Sequence, residues 1–251
     1  MKKSIKLVKS IALVLSLSML FSNAVFAHTS AGNVISADDV LSQSGMSEEE
    51  IAALDSDIKE FIVNDLLSHS SAESLEYIEA DDIDVPIPYV NQVLTNISFD
   101  VYAYKSGNTI YIYPTYEFTA NKQPKGQDSF SIQMGDALIP YEYGGQIWYK
   151  DDETMSNWAS VGSMVANTQS ANGAEYSGNQ LGSPGWSMKF KGCAYVHAQV
   201  GSGSSKQFIM SYMHNPNKAS YSISFSAYGI GITYNSSSTI YTAATTAILN
   251  Y

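Results

Sequence analysis

The chain has 251 residues with 13 Lys, no Arg and 24 Asp plus Glu, for a formal net charge of −11. An acidic chain repels nucleic acid, which is held chiefly by Lys and Arg on phosphates, and anionic lipid headgroups are disfavoured on the same grounds. With no arginine fork to grip carboxylate or phosphate bidentately, recognition falls to hydroxyls, amides and aromatic faces, and a single cysteine, Cys193, excludes an intramolecular disulfide.

The first 27 residues have the order of a secretory signal peptide. Lys2, Lys3, Lys6 and Lys9 form a cationic start, Ile11 to Phe21 is an apolar run broken only by Ser16 and Ser18, and Val25-Phe26-Ala27 supplies small residues before a cut. The run is shorter than the roughly 20 apolar residues of a bilayer-spanning helix. The expectation is a secreted, soluble, extracellular bacterial protein starting near His28, with 9 Lys against 24 acids and a charge of 9 − 24 = −15.

From His28 to Asp84 the chain carries 15 acids and one Lys, and only one of its 18 tyrosines, Tyr77. Ser47-Glu48-Glu49-Glu50 reads as a capping box, because Ser47 can accept from the Glu50 amide while the Glu50 carboxylate returns to the Ser47 amide. Ile51, Leu54, Ile58, Phe61, Ile62 and Leu66 recur at three- and four-residue steps, which predicts one amphipathic helix to about Leu67. Glu73 to Asp84, acidic and followed by Pro86 and Pro88, reads as a linker. Residues 28–84 are thus an acidic helical segment, either packed on the following domain or removable as a pro-segment.

Residues 85–251 read as a Tyr-rich β-domain. Ile97 to Tyr104 and Thr109 to Phe118 flank a Gly-Asn turn as a hairpin. Ile139 to Tyr143 and Gln146 to Tyr149 flank Gly144-Gly145 in the same way. Met188 to Val200 alternates, with Phe190, Ala194, Val196 and Ala198 on one face and Lys191, Cys193, Tyr195 and His197 on the other. Gln207 to His214 is expected as its partner, in a register that sets Ser211 opposite His197. Asp151 to Gly185, rich in Ser, Asn and Gly, reads as a long loop. Tyr221, Ile223, Phe225 and Ala227 alternate with Ser220, Ser222, Ser224 and Ser226, and a last strand runs from Thr239 to Leu249. Short strands and such turns predict a mainly β fold, an antiparallel sandwich or barrel preceded by the acidic helical segment.

Catalytic constellations fail one by one. Cys193 and His197 lie four residues apart on a strand, about 13 Å, beyond a hydrogen bond; a buried apolar role suits the thiol better. A Ser211–His197 pair lacks an orienting acid, an oxyanion hole and a Gly-x-Ser-x-Gly elbow. Cys193, His197 and His214 have no clustered spacing for a metal, and Asp151-Asp152-Glu153 has no EF-hand spacing, so neither metal nor cofactor is expected. Glu117, Asp136, Glu142, Asp151, Glu153 and Glu175 offer carboxylates for glycoside hydrolysis without selecting a pair.

What remains is aromatic surface. Tyr102, Tyr104, Tyr141, Tyr143, Trp148 and Tyr149 lie on strands beside Ser, Asn and Gln, a composition that stacks on sugar rings and hydrogen-bonds their hydroxyls. The function expected is therefore non-enzymatic binding of carbohydrate or another cell-surface polymer, with no nucleic-acid partner. One alternative is a pore-forming or antimicrobial protein whose C-terminal strands, Ser220 to Tyr234 and Thr239 to Leu249, enter a membrane as a hairpin with one hydroxyl and one apolar face. A hydrolase with a dispersed site is the other.

Overall fold

The computed structural model describes residues 35–83, 92–120, 127–151, 154–178, 188–216, 221–226, 229–234 and 240–251. The expected signal peptide and the two linker prolines lie outside the described residues. Ala37 to Tyr251 forms one compact unit.

Helices α1 (Ala37–Gln43), α2 (Glu48–Ala53) and α3 (Ser56–His69) come first. The capping box at Ser47 and Glu50 forms in full. The single helix expected from it is split, however: Asp55 turns the chain out of helix and restarts it, its carboxylate accepting from the Asp57 and Ile58 amides as the N-cap of α3. The apolar stripe survives the break, with Ile51, Leu54, Ile58, Ile62 and Leu66 all buried.

The expected linker is instead a single 3-10 turn and two short strands, β1 (Glu76–Ile78) and β2 (Ala80–Ile83). They pair at the edges of different sheets, where short acidic strands discourage pairing with another chain.

Two antiparallel sheets pack as a sandwich. The first has the order β1, β4 (Ile97–Ser106), β5 (Thr109–Phe118), β11 (Lys189–Val200), β7 (Leu138–Lys150), β8 (Ala159–Met164). The second runs β2, β15 (Tyr241–Leu249), β12 (Gln207–Asn215), β6 (Gln127–Met134), β10 (Gly173–Gly178), β9 (Thr168–Ser170). A short β3 (Gln92–Val93) lies parallel to β15. Between the sheets lies one core, in which Ile112, Tyr116, Phe118, Phe130, Ile132, Tyr176, Phe190, Val196, Phe208 and Tyr212 are buried. A second core forms where the helical stripe covers the outer face of the first sheet, on Tyr104, Tyr111, Tyr113, Trp148 and Cys193. A separate two-stranded sheet, β13 (Tyr221–Ser226) with β14 (Gly229–Tyr234), lies against β6, β10 and β12.

The first hairpin forms as expected around Gly107, whose φ of 62° suits a residue without Cβ. Four other expectations are corrected. Gly144-Gly145 is not a turn but the middle of β7: the Tyr195 ring occupies the space of a side chain at 144, and a Cβ at 145 would lie 2.6 Å from the Cys193 carbonyl oxygen. Three strands, β8 to β10, run through the expected loop, because Ala174 and Tyr176 fill the inter-sheet core. Met188 to Val200 does show the two faces expected of it, yet its neighbours are β5 and β7, and β12 crosses to the other sheet between β15 and β6. Finally, among the described residues, those of Ser220 to Tyr234 do not pair with those of Thr239 to Leu249. Residues 221–226 and 229–234 pair with each other, while β15 belongs to the second sheet.

Replacing Gly145 by Ala, with main chain rather than a yielding side chain in the way, should cost about 1–3 kcal/mol in urea unfolding, the usual penalty of overpacking. Wild-type stability in that variant would show that the close approach is not tight.

Candidate functional site

The outer face of β11 meets α3 through polar side chains at both ends of the helix. At the first turn, the Lys191 ammonium, wholly buried, bonds the carboxylates of Asp55 and Asp57, the latter at 2.8 Å. It also sits 4.5 Å over the Trp158 ring and 5.6 Å over that of Trp148. Asp55 therefore caps the helix and anchors it to the sheet with one carboxylate.

At the last turn, His197 is sandwiched between two acids. Its Nε2 lies 2.8 Å from Asp65 Oδ2 and its Nδ1 3.0 Å from Glu142 Oε2. Glu142 arrives by register, opposite His197 on β7, and Asp65 by helical phase on α3. The Tyr113 hydroxyl donates to the same Asp65 oxygen at 2.7 Å. His69, one turn beyond Asp65, brings its ring centroid to 4.5 Å from that of His197, and the Tyr195 ring stacks on His197 at 4.9 Å. Burial alone would lower the imidazole pKa, but hydrogen bonds to Asp65 and Glu142 and their charges outweigh it and hold His197 above its ordinary value.

Asp65 and His69 enter the cluster from a segment with few aromatic or β signals; only their spacing, i to i+4, hinted at a shared helix face. Ser211 is not near this cluster. It pairs with Ser131 and Ala244 in the other sheet, which removes the expected Ser211–His197 pair. Cys193 is buried, and burial, then the Asp65 charge, pushes its thiol pKa up. Among the carboxylates, Glu142 lies on the first sheet, whereas Glu175 on the second accepts from Ser129 and Thr168 at 2.9 and 3.0 Å. Buried beside the core of that sheet, Asp128 takes the Tyr212 hydroxyl at 2.6 Å and His214 Nδ1 at 2.7 Å.

The six aromatic positions expected to bind do not form one surface. Tyr104 and Trp148 are buried beneath the helices, and Tyr102 packs half-buried on the same core. Tyr143 and Tyr149 are half-buried against the inter-sheet core. Tyr141 is 55% exposed.

The opposite face of the sandwich has another character. Ser129, Ser131, Gln133, Glu175, Ser211 and Asn215 alternate with core residues on β6, β10 and β12, so they face away from the core, yet all are buried. The β13–β14 hairpin lies over these strands. Its Ser222 and Ser224 are exposed and its Ile223, Phe225 and Ile230 half-buried, and Phe225 reaches the space beside Gly173. Among the described residues, no hairpin side chain belongs to either core.

No family model and no curated protein matches this chain. Among solved structures it is similar to the collagen binding subdomain of the Enterococcus faecalis surface protein ACE, at 9% identity over 55% of this chain and 88% of that one, TM-score 0.30. A pore forming protein is similar at 12% identity, 68% and 89% coverage and TM-score 0.38. So is the KRT10-binding region domain of the pneumococcal serine rich repeat protein PsrP, at 11%, 64%, 98% and 0.25. The likeness is distant and one of architecture, shared by bacterial surface binding domains and a pore-forming protein. No helix among the described residues is long and apolar enough to cross a membrane.

Two outcomes follow from the helix–sheet junction. Asp55→Ala should destabilise more than Lys191→Met, by roughly 3 kcal/mol or more in denaturant unfolding, because it removes a cap and leaves a wholly buried ammonium short of a partner, whereas Asp55 and Asp57 reach water when Lys191 is lost. The reverse order would show that the ammonium is not the anchored charge. Cys193 should resist a thiol reagent in native buffer and react on unfolding; rapid native labelling would contradict its burial.

Proposed function

We propose that this is an exported protein that permeabilises membranes by releasing the β13–β14 hairpin from the second sheet and inserting it, in several copies, as part of a β-barrel. The observation that carries the reading is the hairpin's independence. Its ladder is complete within itself, from Tyr221 opposite Tyr234 to Ser226 opposite Gly229. A segment that forms its own two-stranded sheet can move without breaking a ladder of the sandwich.

Three physical features support release and insertion. The face beneath the hairpin is rich in hydroxyls and amides, with Ile209 and Met213 among them, so it gives Ile223, Phe225 and Ile230 less apolar contact than a core would. Alternation gives one apolar and one hydroxyl face, as a lipid-facing and lumen-facing strand requires. From Ala219 to Tyr251 the chain carries no charged side chain, so insertion transfers no ion into lipid. Six residues per strand reach about 20 Å. The uncharged flanks, Ala219 and Ser220 before and Asn235 to Ser238 after, would extend the strands to 8 and 10 residues, close to the about 9–11 per strand that span the bilayer core.

A second reading, attachment to carbohydrate or another cell-surface polymer, is favoured by the exposed Tyr141, flanked by exposed Ile139. It needs a partner that contacts this edge of the first sheet and not the covered face around Trp148.

Dye-loaded vesicles test the first reading. Wild-type protein should release dye in a concentration-dependent way, and Ile223→Asp with Phe225→Asp should abolish release while thermal unfolding stays close to wild type, since neither residue belongs to a core. Leakage unchanged in the double variant would overturn the hairpin as the inserting element. Retention of dye beside saturable pelleting with cell walls, lost in Tyr141→Ala, would favour the second reading.

A further inference from the structure

We propose that Asp65, His69 and His197 bind a divalent metal ion of the zinc class, with Glu142 as the carboxylate that orients His197. One donor atom from each of the three residues lies within 4.8 Å of the others. His197 Nε2 is 2.8 Å from Asp65 Oδ2, and His69 Nδ1 is 3.6 Å from Asp65 Oδ1. A tetrahedral ion with bonds of about 2.0–2.2 Å holds its donors about 3.4 Å apart, so His197 and Asp65 stand near ligand spacing, and His69, whose Nδ1 meets the Asp65 carbonyl oxygen at 2.9 Å, closes on the ion by turning its ring.

The donor set also has the supporting contacts that metal-binding histidines require. Imidazole ligands generally give their second ring nitrogen to a carboxylate, which fixes the ring and raises its basicity. Here His197 presents Nε2 to Asp65 while Nδ1 meets Glu142 at 3.0 Å. Asp65 is itself held, by the Tyr113 hydroxyl at 2.7 Å, and the stacked Tyr195 ring fixes the plane of His197. Buried His197 and largely buried Asp65 form a rigid floor, and His69, 36% exposed, is the side on which an ion enters and a water completes the coordination.

The ligands bridge two layers, α3 and β11. A bound ion would therefore join helix to sheet at the C-terminal end of α3, as Lys191 does at its start, and would take the place of the proton between His197 and Asp65. Softer imidazole with one carboxylate suits zinc, cobalt or nickel over calcium, whose ligands are oxygens.

The test titrates the full chain, freed of metal with a chelator, with Zn²⁺ alone by calorimetry and with Co²⁺ by visible absorption. The expected result is one ion per chain, a rise in Tm, and cobalt bands of tetrahedral type. His69→Ala, at a partly exposed position, should keep the fold and weaken binding at least tenfold, and Glu142→Gln should weaken it by about 10–100-fold. His214→Gln, altering the buried histidine of the other sheet, should bind as wild type. No heat and no Tm change with Zn²⁺ would overturn the proposal, and so would wild-type affinity in His69→Ala.

Discussion

Helix α3 is held on the first sheet by buried charge at both of its ends, and the inequality of the two faces of the sandwich depends on that seat. At one end a wholly buried lysine meets two aspartates of the first turn; at the other a buried histidine meets Asp65 and, across the strands, Glu142. Ion pairs of this kind add little net stability over apolar packing, but losing one partner strands the other in low dielectric. Their effect is to specify position. The apolar stripe of α2 and α3 would slide over an aromatic sheet at small cost, whereas Asp55 over Lys191 and Asp65 over His197 fix both translation and rotation of the helix.

Because the helices are pinned there, the aromatic outer face of the first sheet is closed. Tyr104, Tyr113 and Trp148 form a floor for Ile58, Ile62 and Leu66 rather than a platform for sugar rings. The second sheet has the opposite arrangement. Its outer side chains are mostly Ser, Gln, Glu, Asn and Thr, with Ile209 and Met213 among them, and what lies over them is a hairpin with an apolar underside and a hydroxyl-bearing top. An apolar face on a mainly polar floor is a weaker seat than an apolar face on tyrosine rings. The molecule thus joins a cover fixed by specific charges to a cover held without them, and conformational change is drawn from such low-stability elements.

The fold class was legible in alternation. On β11, Phe190, Ala194, Val196 and Ala198 point to the inter-sheet core and Lys191, Cys193 and His197 to the helices, as their spacing requires. Strand partners were not legible, because alternation reports which side chains share a face and not which strand lies beside them. Both faces of β12 are buried, one on the core and one beneath the hairpin, so its sequence fits either sheet equally. Gly144 and Gly145 misled for a related reason: close packing against Tyr195 and Cys193 demands the same residue as a turn. The His197 cluster was half legible. The histidine was singled out beside Cys193 and Ser211, but Asp65 lies 132 residues away, in the acidic helical segment.

Hydrogen–deuterium exchange of the protein alone and with vesicles tests most directly whether the two covers differ in this way. On adding vesicles the exchange of residues 221–234 should change, together with that of the β6 and β12 segments beneath them, while residues 56–69 of α3 stay as protected as in solution. Change in α3 with none in the hairpin, or no change anywhere under conditions where dye is released, would contradict that difference.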